Sequence, residues 1–113
     1  MKPANVLAAV LFAGSSLSCQ FLFAQDTTAA RNLASSCFTC HGLNGNSVGG
    51  VPPSLAGRDR AELLQTMKDF KSGKRPATIM HQQAKGYTDQ QLELIAGYFA
   101  GQKSAAPRVP TKP

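Results

Sequence analysis

The sequence predicts an all-α fold of three to four helices joined by long loops. Apolar residues recur at helical spacing in three separate segments of the 113-residue chain. Two of these segments begin with the residue pattern of a capping box, and stretches rich in glycine and proline separate the segments. No segment alternates apolar and polar residues in the way that a strand does. Together these observations favour helices without a sheet.

The first predicted helix runs from Ala29 to about Cys37, where Ala30, Leu33 and Ala34 recur at helical spacing. Residues 42–57 follow it. Their glycines and prolines would interrupt any regular element, so we expect a long loop there. This loop separates the first helix from the remaining ones.

Two further helices are predicted from their first residues. Asp59 with Glu62 three residues later opens a second helix, which ends near Gly73. Residues 74–87 are expected to form a loop or a short helical turn. Thr88 with Gln91 opens the last helix, whose apolar face carries Leu92, Ile95, Tyr98 and Phe99.

The N-terminal segment predicts export. Residues 1–24 combine Lys2 with apolar runs that stop at Ala24, which is the pattern of a signal peptide cleaved after that residue. Small polar residues interrupt the apolar runs, so a membrane anchor is the weaker interpretation. We therefore expect a periplasmic protein without stable membrane insertion after cleavage. Its mature part is expected to be one domain, residues 25–103, with a flexible Ala/Pro-rich tail at residues 104–113.

The chain is basic, with 12 Lys and Arg against 6 Asp and Glu and a formal net charge of +6. Nucleic acid is not an expected partner, because the chain has none of the aromatic or basic-helix motifs that bind it. The charge instead favours an acidic protein partner or acidic surface, although it also serves solubility.

The most informative motif is Cys-x-x-Cys-His, formed by Cys37, Cys40 and His41. This sequence is the attachment signature of a c-type haem. Thiols one helical turn apart can each reach a vinyl group of one porphyrin, and the histidine that follows can bind the iron. The motif therefore predicts one covalent haem c with His41 as its proximal ligand.

Three other interpretations of the two cysteines are weaker. A zinc site would need two more ligands at similar spacing, and only His81 follows the motif. A redox dithiol usually follows a strand of a βαβ unit, and no such strand is predicted here. A disulfide across so short a loop would stabilise little.

The second axial ligand of the iron determines the chemistry. The candidates are Met67, Met80 and His81, whose thioether and imidazole groups bind haem iron. Met67 lies among core-facing helix residues, whereas Met80 lies in a loop on the other half of the chain from His41. We therefore expect Met80 to be the distal ligand. With His41 and Met80 both on iron, the protein is expected to transfer single electrons and not to act as a catalyst on its own.

These features together resemble class I c-type cytochromes. The resemblance covers the mature chain and implies a small fold of three to four helices wrapped around one covalently bound haem. It also implies that a loop proline carbonyl accepts the second ring N–H of the proximal histidine. Pro53 stands at the matching place in this sequence. Leu55, which follows it, is then expected to pack against the haem ring.

Longer strings resemble the cytochrome subunit of flavocytochrome c sulfide dehydrogenase. The matching strings are His41–Gly49, Pro53–Gly57, Phe70–Gly73, Thr78–Met80, Ala84–Thr88 and Ala96–Phe99. The resemblance implies a flavoprotein (FAD) partner that oxidises sulfide and passes electrons to this chain, and an acceptor protein downstream. This chain departs from the better-known cytochrome subunits in having one haem motif where they have two.

The alternative is a freely diffusing monohaem carrier that delivers electrons to a terminal oxidase or another acceptor. A permanent subunit would need a large and partly apolar interface, whereas a diffusing carrier would use a small charged ring around the haem edge. Basic residues that could form such a ring are Lys68, Lys71, Lys74, Arg75 and Lys85.

Overall fold

The computed structural model describes residues 17–105 of the chain, and the side chains from residue 26 onward. Within that range it has five α-helices and no strand, so the all-α prediction is confirmed. The helices are α1 (Leu17–Ser35), α2 (Phe38–His41), α3 (Arg60–Ser72), α4 (Met80–Lys85) and α5 (Asp89–Ala100), with a 3₁₀ turn at Leu43–Gly45.

Two predicted capping residues fix where α3 and α5 begin. The Asp59 carboxylate accepts a hydrogen bond from the Glu62 amide at 2.9 Å. Thr88 and Gln91 form a reciprocal capping box, in which each side chain accepts from the other residue's amide. Helix α3 ends at Gly73, whose left-handed backbone lets its amide bond to the Phe70 carbonyl. The capping residues and apolar spacing thus predicted both helices correctly.

The core lies where α1, α3 and α5 meet. Its buried members are Ala34, Leu63, Leu92, Ile95, Ala96 and Phe99. Helix α5 supplies four of these residues, and Leu92 and Phe99 are the largest fully buried side chains of the described region. Helix α4 packs against α3. The short helices α2 and α4 are therefore held on a three-helix frame.

Helix α1 begins twelve residues earlier than predicted. Residues 17–35 contain neither proline nor glycine, so nothing in this stretch ends a helix. The predicted cleavage point after Ala24 lies inside the helix, and cleavage stays a prediction. Residues 1–16 of the predicted signal peptide and residues 106–113 of the predicted tail lie outside the described residues.

The described helices include none with the length and apolarity needed to cross a membrane.

The start of the predicted tail contacts the domain, because Asn46 Oδ1 accepts a hydrogen bond from the Ala105 amide at 2.6 Å. Asn46 Nδ2 also donates to the Lys103 carbonyl at 3.1 Å. Asn46 thereby fastens the residues after α5 to the loop that follows α2.

Candidate haem site

The cysteine motif begins where α1 ends. The Cys37 amide bonds to the Ala34 carbonyl at 3.0 Å, and the His41 amide then bonds to the Cys37 carbonyl at 2.9 Å. The second bond closes one α-helical turn that carries Cys37, Cys40 and His41. Both thiols are free; Cys37 is half-buried and Cys40 is exposed.

The electrostatics of Cys37 do not suit a redox dithiol. Burial raises the pKa of the Cys37 thiol, and the contact with the Ser36 hydroxyl opposes this rise with a smaller effect. A nucleophilic cysteine of a Cys-x-x-Cys redox motif has a lowered pKa instead. In the part of the chain that the structure describes, no three His, Cys, Asp or Glu residues are grouped to hold a metal ion such as zinc.

His41 is buried and held in one orientation. The residue is only 7% exposed, and its Nδ1 lies 2.7 Å from the Pro53 carbonyl oxygen. A carbonyl can only accept a hydrogen bond, so Nδ1 carries the proton. The lone pair of Nε2 is then available for iron, which is the arrangement found around metal-binding histidines.

The loop that carries Pro53 is fastened to the core through Gly45. The Gly45 carbonyl accepts both the Leu55 amide at 2.8 Å and the Ala56 amide at 3.1 Å. The Ala56 side of the loop is held further by the Gly57 amide, which bonds to the Phe99 carbonyl at 2.9 Å. Leu55 packs against the core cluster. These bonds fix the Pro53 carbonyl relative to His41.

Two glycines next to the motif were missed by the sequence reasoning. Gly42 has φ +82°, and a Cβ there would lie 2.0 Å from the Asn46 carbonyl oxygen. Gly45 has φ +80°, and a Cβ there would lie 2.6 Å from Cδ1 of Phe99. The signal that could have found them is their place in a loop that must turn sharply, with Gly42 directly after the histidine and Gly45 three residues later.

The three candidates for the second iron ligand lie on two helices, Met67 on α3 and the other two on α4. Met80 is the first residue of α4 and is half-buried. Met67 packs against the core cluster from α3, as expected of a core-facing residue. His81 Nδ1 is buried without a hydrogen-bond partner in the structure. Met80 and His81 are neighbours on α4, so their positions separate both of them from Met67 in the core packing, and the choice of Met80 over His81 stays a prediction.

The basic residues proposed for a charged ring are partly engaged within the chain. Two lysines form ion pairs: Lys71 Nζ lies 2.8 Å from Asp89 Oδ1, and Lys74 Nζ lies 3.7 Å from Asp69 Oδ1. The Arg75 guanidinium lies 5.3 Å from the centre of the Phe70 ring. The Lys71 hydrogen bond and charge lower the pKa of Asp89. These contacts leave fewer cations free for a partner than the sequence suggested.

A cavity of about 600 Å³ lies elsewhere, between α1 and α5. Its lining includes Arg31, Arg60 and Glu93, and Arg60 extends over Gly97 of α5. None of the six residues predicted to bind the cofactor lines it. The cavity is therefore separate from the haem site.

The domain is all-α and carries Cys-x-x-Cys-His, and a loop carbonyl fixes the orientation of the histidine. These features are typical of proteins that bind haem covalently. The model of the family "Cytochrome c" matches residues 27–103. The chain therefore belongs to the cytochrome c family, which confirms the predicted class I cytochrome c fold and its covalently bound haem c.

Several relatives are similar over part of their length. The cytochrome subunit of sulfide dehydrogenase from Chlorobaculum tepidum is 45% identical over 67 residues, which are 59% of this chain and 60% of that protein. Cytochrome c4 from Pseudomonas aeruginosa is 42% identical over 80 residues, 71% of this chain and 40% of that protein. Cytochrome c-554(548) from Halomonas halodenitrificans is 29% identical over 83 residues, 71% of this chain and 100% of that protein. The chain thus spans less than two thirds of the first two relatives.

The donor set of the structure fits haem c. Two unpaired thiols lie on one helical turn, and the adjacent buried imidazole has a free Nε2. Cys37 and Cys40 would form the thioether bonds, and His41 would bind the iron. The haem supplies reversible one-electron chemistry to this electron carrier.

Proposed function

We propose that this cytochrome transfers single electrons with its iron held by His41 and Met80, and that it accepts them in the periplasm from a sulfide-oxidising flavoprotein. The observation that supports the electron-transfer site best is the 2.7 Å hydrogen bond between His41 Nδ1 and the Pro53 carbonyl. It fixes the tautomer that presents Nε2 and makes the imidazole a stronger ligand.

The assignment of Met80 rests on its chemistry and its place. A thioether favours ferrous iron relative to a second imidazole and so raises the reduction potential. Replacing Met80 by alanine is expected to abolish the low-spin thioether-ligated spectrum and to lower the potential. Met67→Ala is the matched control, because it removes the same side chain from the core packing. If Met67→Ala has these effects and Met80→Ala does not, the assignment is wrong.

The partner is proposed from the relatives and from the surface. One relative is named as the cytochrome subunit of sulfide dehydrogenase, and another as a thiosulfate dehydrogenase electron acceptor. The loop after the motif exposes Val48 by 83% and Val51 by 88%. Between these valines, Cβ atoms on Gly49 and Gly50 would meet nothing within 4 Å, so this part of the loop projects from the domain. An exposed apolar loop suits a stable protein interface.

A freely diffusing carrier is the second candidate function. It is favoured by the match over the whole length of cytochrome c-554(548), and by the net charge of +6. Such a carrier would use long-range electrostatic attraction to find acidic acceptors quickly.

Purification from native periplasm separates the two functions. The complex predicts a stoichiometric flavin-containing partner, and the paired substitution Val48→Ser/Val51→Ser should weaken that association. A matched control is Lys85→Ser, which removes an exposed cation on α4. Elution of the wild-type cytochrome as a lone red monomer would contradict the complex and support the carrier. Mass spectrometry of the same sample tests cleavage after Ala24.

A further inference from the structure

A tyrosine hydroxyl connects the segment of Met80 to the segment of the cysteines. Tyr87 Oη lies 2.6 Å from Ser36 Oγ, although the two residues are 51 positions apart. Ser36 directly precedes Cys37, and Tyr87 follows α4, the helix that begins at Met80. The contact therefore joins the two parts of the chain that carry the proposed haem ligands.

The direction of this hydrogen bond follows from the neighbours of Ser36. Ser36 Oγ lies 3.1 Å from the Leu33 carbonyl oxygen, which can only accept. A serine hydroxyl has a single proton, so Ser36 donates to Leu33 and accepts from Tyr87. Cys37 Sγ lies 3.9 Å from Ser36 Oγ. As a thioether, Cys37 has no proton to donate, so it does not compete with Tyr87 for Ser36.

Tyr87 is well placed to restrain α4. Its amide bonds to the Ala84 carbonyl at 3.3 Å, so the tyrosine is attached to the last turn of that helix. Helix α4 packs chiefly against α3. Among residues 26–105, no other hydrogen bond joins residues 76–88 to residues 36–41. The ring of Tyr87 also packs against the core cluster and is half-buried.

We propose that Tyr87 is a positioning residue which, through Ser36, holds α4 against the cysteine motif and so keeps Met80 on the iron. The inference rests on the proposed function, because it takes Met80 as the distal ligand. Movement of α4 away from the motif must break this hydrogen bond. Removing the bond therefore raises the population in which Met80 is displaced, without changing either iron ligand.

The test is a titration of the ferric holoprotein with imidazole. Binding is measured as the loss of the thioether-to-iron charge-transfer absorption. Tyr87→Phe keeps the ring and removes the hydroxyl. The apparent affinity for imidazole scales with the population in which Met80 is displaced. The variant should therefore bind imidazole roughly two- to fivefold more tightly than wild type, which is the change expected from the free energy of one partly exposed hydrogen bond. Ser36→Ala should give the same change, and the double variant should add nothing further.

Tyr98→Phe is the matched control. It removes another tyrosine hydroxyl, whose hydrogen bond goes to Asn44 Oδ1 at 2.7 Å and not to Ser36. Its imidazole affinity should equal that of wild type. If Tyr87→Phe also equals wild type while the charge-transfer absorption is present, the positioning role is overturned and the ligation by Met80 stands. If wild type lacks that absorption, both the ligation and the positioning role are overturned.

Discussion

Gly45→Ala tests how tightly the loop that orients His41 is fastened to the helical frame. A Cβ at Gly45 would lie 2.6 Å from Cδ1 and 2.9 Å from Cε1 of Phe99, and 3.0 Å from the Ala56 amide nitrogen. The Phe99 ring cannot move aside easily, because the residue is 1% exposed and sits in the core. The alanine would also have to adopt φ +80°.

The expected cost has two parts. A left-handed backbone costs a residue other than glycine about 1–2 kcal/mol. Overpacking a well-packed core costs about 1–3 kcal/mol more. We therefore expect the free energy of unfolding to fall by about 2–5 kcal/mol, a large share of the roughly 5–15 kcal/mol typical of a domain. Guanidinium denaturation of the holoprotein, monitored by far-ultraviolet circular dichroism, measures this fall. The midpoint should move to a lower guanidinium concentration, while the dependence of the unfolding free energy on that concentration stays unchanged.

Gly73→Ala separates the two parts. Gly73 has φ +78°, and a Cβ there would meet nothing within 4 Å. This variant should therefore lose only the backbone part, about 1–2 kcal/mol. If Gly45→Ala costs no more than Gly73→Ala, Gly45 is not packed against Phe99, and the loop that carries Pro53 is not fastened to the core at this point.

Three further predictions concern the frame and its surface. Leu92→Ala should lower the free energy of unfolding by about 2–5 kcal/mol in the same denaturation assay, because the residue is fully buried, and a loss below that of half-exposed Leu94→Ala would contradict the described core. Asn46→Ala removes both bonds to the residues after α5 and should cost about 1–2 kcal/mol, with Asn46→Asp losing less because it keeps the acceptor for Ala105. Since Lys71 lowers the pKa of Asp89, this carboxylate stabilises the fold above its unfolded pKa and loses that effect as the pH falls through its folded pKa. Asp89→Asn should thus be slightly less stable than wild type at pH 7 and equal to it below the carboxyl range, and a difference that persists in acid would contradict the ion pair.

The helical frame could be predicted because its determinants are local. Asp59 and Thr88 mark the starts of α3 and α5 through residues only three positions away. The start of α1 could not be predicted in the same way. Residues 17–28 contain no helix breaker, yet their composition also suits the end of an export signal, so one sequence supports two interpretations.

A motif or a resemblance predicts only part of the candidate site. Cys37, Cys40 and His41 follow from their spacing alone, and Pro53 was proposed as the partner of His41 by resemblance. The bond between Tyr87 and Ser36 has no local signature, because it joins residues far apart in the chain. Gly45 illustrates the same limit, since six glycines among residues 17–105 have positive φ and only the tertiary structure distinguishes the one that faces Phe99.

We expect one haem to be joined to Cys37 and Cys40 by thioether bonds. The most direct test is the pyridine haemochrome spectrum of the purified holoprotein, recorded before and after extraction with acidified acetone. We expect one haem per chain, with the spectrum of a haem carrying two thioether bonds and with the pigment retained by the polypeptide after extraction. A colourless protein, or a pigment that the solvent removes, would contradict the covalent attachment of haem.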